Sequence, residues 1–135
     1  MCSLIEVVTI ERLWNQLTDS APIPEYDRFM NQVNDFERMI QESETYLIKF
    51  YFSINKREQA KRFEEIKRSP LKKWKITPVG ERAQELWDEY TKYKKLMMAT
   101  SDTKNAPWTV IEANKKTIAR LEATRHILKT IPYKD

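Results

Sequence analysis

Twenty residues, Lys56 to Lys75, carry nine cationic side chains: Lys56, Arg57, Lys61, Arg62, Lys67, Arg68, Lys72, Lys73 and Lys75. Only Glu58, Glu64 and Glu65 oppose them, so the segment holds a surplus of +6 in a chain whose whole net charge is +4. The positive field is therefore local, which points to a polyanion met at one surface. Lysine supplies compact point charges and arginine a planar fork, the two ways a protein neutralises phosphate. Trp74 lies among the lysines, an arrangement that also suits base stacking. No pattern of a nucleic-acid-binding fold accompanies it, which argues against nucleic acid. The plainer alternative is a solvated helix face.

Other chemistries are excluded by counting. The chain has one glycine, Gly80. Backbone amides that cradle phosphates must approach without intervening side chains, so neither a phosphate loop nor a dinucleotide fingerprint can form. His126 is the only histidine and Cys2 the only cysteine, so no His/Cys metal constellation and no internal disulfide exist. No metal ligands are assigned. Asp102, within Thr100-Ser101-Asp102-Thr103, reads as a turn residue rather than a general base.

The elements that must position the cations are legible from residue 25 onward. Phe29, Val33, Phe36 and Ile40 recur at helical spacing behind Pro24. Tyr46 to Phe52 is β-prone and nearly all apolar, as in a parallel strand buried on both faces. Asn55 and Glu58 have capping-box spacing and open a basic helix to about Arg68, which Ser69-Pro70 breaks. Leu71 to Lys75 form a loop. Thr77-Pro78 starts a second helix in which Val79, Ala83, Leu86, Trp87, Tyr90 and Met97 keep helical spacing as far as about Ala99. Trp87, Tyr90, Trp108 and the Met97–Met98 pair read as core. Trp108 to Ala113 is a second strand. Asn114 caps a last helix with Ile118, Leu121, Arg125 and Leu128 on one face, closed by Pro132.

Alternating helices and strands predict an α/β fold, mostly helical, with parallel pairing. Two strands are too few to cover their own core, which implies further strands upstream. Composition agrees with a packed domain: 135 residues, 41% hydrophobic and 11% aromatic. No apolar run is long enough to span a bilayer, and Met1 to Ile10 lacks the basic start of a signal peptide. A cytoplasmic protein with no membrane partner is expected.

Five segments resemble, in order, signatures of the polyphosphate kinase 2 family. Ile54-Asn55-Lys56-Arg57-Glu58-Gln59-Ala60-Lys61-Arg62-Phe63 is similar to its strand-to-helix junction, and Ser69 to Pro78 to its lid loop. Trp87-Asp88-Glu89-Tyr90-Thr91, Ala106-Pro107-Trp108 and Ala119-Arg120-Leu121 follow. The resemblance runs from about Glu25 to Tyr133. It implies the C-terminal half of a P-loop kinase-like, three-layer α/β/α fold with a helical lid over about 56–99. It also implies a phosphotransferase moving phosphate between inorganic polyphosphate and a nucleoside mono- or diphosphate, with Mg2+ in the intact enzyme. Carried over by position, Arg62 is the transition-state contact, Lys56, Lys72 and Lys75 line the polyphosphate track, and Arg120 joins them. The chain departs from the family at Gly80, where an acidic residue is usual, and at Ile66 and Ser69.

Residues 1–24 show none of the family's metal-site aspartate motif. Synonymous codons for Met1 to Pro22 nevertheless exist whose overlapping third-base frame reads VLLDRSGNNRAVVEPVNGFCT, an apolar strand followed by that Asp-Arg-Ser motif. The expectation is a non-homologous, out-of-frame segment at 1–24 and a partial domain at 25–135, inactive alone. The second reading is a non-catalytic helical module that binds polyphosphate or nucleic acid through its basic face. Assembly into a homo-oligomer is left open.

Overall fold

The computed structural model describes residues 4–5, 23–72, 74, 82 and 84–132, with side-chain surroundings from Asp27 onward. The order is β1 (Leu4–Ile5), α1 (Ile23–Glu42), β2 (Leu47–Ser53), α2 (Lys56–Arg68), α3 (Trp87–Ser101), β3 (Trp108–Glu112) and α4 (Lys116–Thr130). The strands form a parallel sheet in the order β1-β2-β3. Leu4 pairs with Leu47 on one side of β2, and Lys49 with Trp108 on the other. Parallel pairing and a mostly helical α/β chain are as the periodicity implied. The strand at Leu4–Ile5 is an addition, and its signal was the β-branched run Ile5, Val7, Val8, Thr9, Ile10.

Side chains alternate across a strand, so β2 faces two ways. Phe50 and Ile48 point into a core with Ile111, Ala113 and Ala119, lined further by Ala123, Ile127 and Ile131 of α4 and its exit. The opposite side of β2 carries Lys49, which meets Glu37 of α1 and Ser101 of α3. Met30 and Met97 pack together beside Phe29, Tyr93, Met98 and Trp108, joining α1 to α3. Met97 and the neighbouring Trp108 are thus core, as expected. Burial of β2 on both faces holds from Leu47 to Phe50 and fails at Phe52, which is 48% exposed.

Two helices are rotated from their expected orientation. On α1 the buried residues are Met30, Val33 and Glu37, while Phe36 is exposed. The three share one face at i, i+3 and i+7, and the lysine inside the sheet draws the carboxylate rather than the phenyl ring inward. On α4 the expected apolar face of Ile118, Leu121 and Leu128 is about half exposed, and the buried residue is Ala119. Small residues let α4 lie close to the sheet, and the larger ones fall on its outer side. Asn114 is not the cap of that helix. Lys115 holds the N-cap position without a side-chain bond, and Asn114 instead accepts from the Asn55 amide and donates to Glu112. The expected helix start at Thr77-Pro78 lies outside the described residues.

Candidate functional site

The basic helix begins where β2 ends, so α2 rises from the C-terminal edge of the sheet. In parallel α/β sheets this edge is where ligands bind. Its start follows from the local sequence. Asn55 has extended backbone, and its Oδ1 accepts from the Glu58 amide at 2.7 Å, the capping bond expected from the Asn55–Glu58 spacing. The Glu58 side chain turns instead to Arg62, one turn further on, where Arg62 Nε meets Glu58 Oε1 at 2.8 Å.

Arg62 is the best-connected cation of this helix. Its Nη2 donates to the Ala113 carbonyl at 2.7 Å and the Asn114 carbonyl at 3.3 Å. Those carbonyls lie just beyond β3, so a single guanidinium ties α2 to the β3–α4 junction. Asn114 closes the same corner by accepting from the Asn55 amide at 3.2 Å. Arg62 and Glu58 retain 23% and 21% side-chain exposure, so water still reaches the pair. Nη1 makes no bond among the described residues. The arrangement aims an oriented, partly wetted guanidinium along the edge at which both strands end.

The other expected residues are placed as follows. Lys56 is exposed in the first turn of α2, and Lys72 is exposed beyond Pro70. Lys75 lies outside the described residues. Arg120 is exposed on α4, with no side-chain hydrogen bond or ion pair among the described residues. The structure brings Lys56 and Arg62 to one helix and sets Arg62 against the chain leading into α4. Among the described residues no bond or shared partner links Lys72 or Arg120 to the Arg62 side chain, whose acceptors are Glu58, Ala113 and Asn114. Arg57, Lys61, Lys67 and Arg68 add exposed charge to α2. Trp74, 78% exposed, turns its Nε1 back to the Leu71 carbonyl at 2.9 Å. Gln84 donates to Gln59 and at 3.4 Å to the Lys56 carbonyl, joining the approach to α3 to α2.

A second charged cluster escaped the sequence reading. Lys49 Nζ sits 2.8 Å from Glu37 Oε2, with side chains 0% and 2% exposed, and it also donates to the Ser101 carbonyl. The Trp108 ring lies 5.0 Å from the ammonium. A lysine within Tyr46–Phe52 was the available signal, since a lone cation in a buried strand requires a partner. Nearer the sheet's edge, Tyr51 and Tyr90 are hydrogen-bonded, and the Lys94 ammonium lies 5.1 Å from the Tyr51 ring. Burial, reinforced by Tyr90, pushes the Tyr51 hydroxyl well above its ordinary value; burial also raises Tyr90 and lowers Lys94.

His126 fills a structural position. Its ring packs edge-on against Phe50 at 5.4 Å, and its Nε2 is 3.3 Å from Thr109 Oγ1. Asp102 follows the last residue of α3 and accepts from the Trp108 amide at 2.8 Å, a loop role. Among the described residues no three His, Cys, Asp or Glu side chains are grouped to hold a metal. No described helix is long and apolar enough to cross a membrane.

Comparison with known proteins bears on this edge. The pattern of the family described as polyphosphate kinase 2 matches residues 3–135, beginning upstream of Glu25. "NDP-polyphosphate phosphotransferase 2" of Ruegeria pomeroyi is 44% identical over 109 residues, covering 81% of this chain and 32% of that protein. "ADP-polyphosphate phosphotransferase 2" of Rhizobium meliloti is 38% identical over 136 residues, 96% of this chain and 44% of that one. The crystal structure of polyphosphate kinase 2 from Arthrobacter aurescens TC1 superposes with a TM-score of 0.79 at 28% identity, over 94% of this chain and 47% of its own. The chain spans less than half the length of these relatives. A family match over nearly every residue, carried on the same parallel α/β framework, places the chain in the polyphosphate kinase 2 family.

Proposed function

We propose that this chain is the lid-bearing, C-terminal half of a P-loop kinase-like, three-layer α/β/α phosphotransferase. The intact enzyme would move phosphate between inorganic polyphosphate and a nucleoside mono- or diphosphate. The observation that carries the reading is the position of Arg62: a guanidinium fixed at the C-terminal edge of the strands, on a helix dense with exposed cations. Phosphoryl transfer consists largely of positioning and neutralising charge. An arginine already oriented by Glu58 and two carbonyls loses little freedom when a phosphate oxygen replaces those neutral acceptors. Lys56 and Lys72, with Lys75 and Arg120, would track the flexible polyanion as exposed cations. The names of the relatives support this assignment, since they specify nucleoside diphosphates and, in an Acinetobacter johnsonii protein, AMP.

The chain alone would transfer no phosphate. Its single glycine cannot build a phosphate loop. The Mg2+ expected of the whole enzyme finds no grouped ligands among the described residues, so no step is assigned through it. Residues 1–24 would be an out-of-frame reading of the segment that carries the Asp-Arg-Ser motif; the gene's third-base frame either spells that motif or ends the idea.

The test uses the purified chain with long-chain polyphosphate and ADP. It should bind polyphosphate and form no ATP; ATP formation would overturn the assignment of a half-enzyme. Mixing it with the N-terminal part of the Ruegeria pomeroyi relative should produce ATP, and more weakly with Arg62→Ala. Binding of polyphosphate without rescue in any such mixture would favour the second reading, a non-catalytic polyanion-binding module.

A further inference from the structure

The Lys49 ammonium is fully enclosed, and its chemistry is odd for a strand. Replacing a buried ion pair by apolar side chains is often neutral or stabilising, so stability alone does not account for it. Its direction is more informative. Lys49 Nζ points at the carbonyl of Ser101, the last residue of α3. A helix C-terminus presents unpaired carbonyls and the negative end of the helix dipole, where a cation is favoured. Glu37 balances the charge from α1 at 2.8 Å. Trp108 completes the enclosure: its ring lies against the ammonium, and its Nε1 donates to Ser101 Oγ at 2.9 Å. Ser101 Oγ in turn donates to the Met97 carbonyl at 2.7 Å. Four elements, α1, β2, α3 and β3, therefore converge on one residue.

Ser101 is also where the chain returns. It leaves the sheet at Asn55 into α2 and comes back along α3. The outgoing arm is held differently, by Arg62, whose side chain is 23% exposed and donates to the Ala113 and Asn114 carbonyls. We propose that Lys49 is a positioning residue that fixes the returning arm, seating the C-terminal end of α3 on the sheet through a dry joint. The outgoing arm is then the one that yields, through the wetter Arg62 contact. The functional consequence rests on the polyphosphate reading; the mechanical asymmetry does not.

Native-state hydrogen exchange of the unmodified chain tests the asymmetry. The last-turn amides of α3, including the Asp102 amide bonded to the Met98 carbonyl at 2.8 Å, should open only with β2 in global unfolding. Amides of α2 should open in a smaller step, exchanging at least about tenfold faster, the factor expected when one charge-assisted hydrogen bond is lost. Equal exchange in both arms, or faster exchange at α3, would overturn the proposal. Variants then isolate Lys49. Glu37→Gln with Lys49→Met removes both charges and should restore much of the stability lost in Lys49→Met alone. In that double variant, exchange at 98–102 should still quicken relative to β2. Unchanged protection there would show that Lys49 only fills the site. Long-chain polyphosphate added to the unmodified chain should slow exchange in α2 alone. Absence of that response, with the ordering of the arms intact, would sink the polyphosphate reading and leave the joint standing.

Discussion

Replacing Arg62 by alanine should destabilise the chain by about 2–3 kcal/mol, well beyond the ±0.5 kcal/mol of an ordinary surface position. The estimate starts from three bonds: Nε to Glu58 Oε1 at 2.8 Å, and Nη2 to the Ala113 and Asn114 carbonyls at 2.7 and 3.3 Å. A hydrogen bond to a charged group contributes about 1.5–3 kcal/mol when sheltered, and the longest of these three adds little. The side chain keeps 23% exposure, so screening reduces the ion-pair share to the upper end of a surface pair, about 1 kcal/mol. The carbonyl bonds supply the remainder because they span 51 residues of chain and close the β3–α4 corner. Urea unfolding followed by circular dichroism reads the loss directly. A double-mutant cycle with Glu58→Ala should give a coupling of about 0.5–1.5 kcal/mol, smaller than the Arg62→Ala effect, because the carbonyl bonds survive in Glu58→Ala. Arg62→Lys should recover only part, since one ammonium cannot serve both the carboxylate and the carbonyls. An Arg62→Ala loss below about 0.5 kcal/mol, or a coupling as large as that loss, would refute the tie between α2 and the junction.

Further outcomes follow from other corners of the fold. Asn55→Ala removes the α2 cap and should cost about 1 kcal/mol in the same unfolding assay, with Asn55→Ser largely restoring it. Glu44, two residues beyond α1, has φ at 63°, in the left-handed region, so Glu44→Gly should raise stability by about 0.5–1 kcal/mol. Phe50→Ala opens the core against Ile111 and His126 and should cost about 3–5 kcal/mol. Alkaline titration has a defined sign. Tyr51 and Tyr90 hold their protons more tightly folded than at the ordinary 10.0, so the stability they contribute is present below pH 10 and is lost as pH rises beyond it. Lys94, lowered by burial, gives a smaller opposite slope as it neutralises. Tyr51→Phe should therefore flatten the loss of urea midpoint above about pH 10, and an unchanged slope would show that Tyr51 does not set it.

The elements that set this edge were legible because their signals are local. Asn55 and Glu58 fix the start of α2 through a single bond three residues long, and Ser69-Pro70 ends it, so the helix falls where the spacing placed it. The strand at β2 announced itself by composition. What was not legible depends on partners distant in sequence. Phe36 resembles a core residue until Lys49, twelve positions beyond Glu37 on another element, draws that carboxylate inward and rotates α1. Ile118, Leu121 and Leu128 form as good a stripe as the inner one, and the close approach permitted by Ala119 decides which faces the sheet. Asn114 had the right chemistry for a cap, but the Asn55 amide, 59 residues away, recruited it. For Arg62, sequence supplied the residue and the resemblance only a proposed role, whereas the two carbonyls that aim it emerge only once β3 lies beside β2.

Those carbonyls also bear on how a cationic helix could act. A buried pair such as Lys49–Glu37 cannot exchange partners cheaply, because separating it strands a charge away from water. Arg62 is different: its acceptors beyond Glu58 are neutral, its surroundings are wet, and a phosphate oxygen makes a stronger, charge-assisted bond than a carbonyl does. The exposed charge of Lys56, Arg57 and Lys61 on the same helix raises the local concentration of any polyanion beside it. If Arg62 keeps Glu58 and exchanges its carbonyl acceptors for phosphate, polyphosphate should widen the stability difference between the unmodified chain and Arg62→Ala, because only the former can make the charge-assisted bond. Unfolding midpoints of the two proteins, measured with and without long-chain polyphosphate, decide it. A difference that polyphosphate leaves untouched would mean that Arg62 stays bound to the β3–α4 junction and takes no part in holding phosphate.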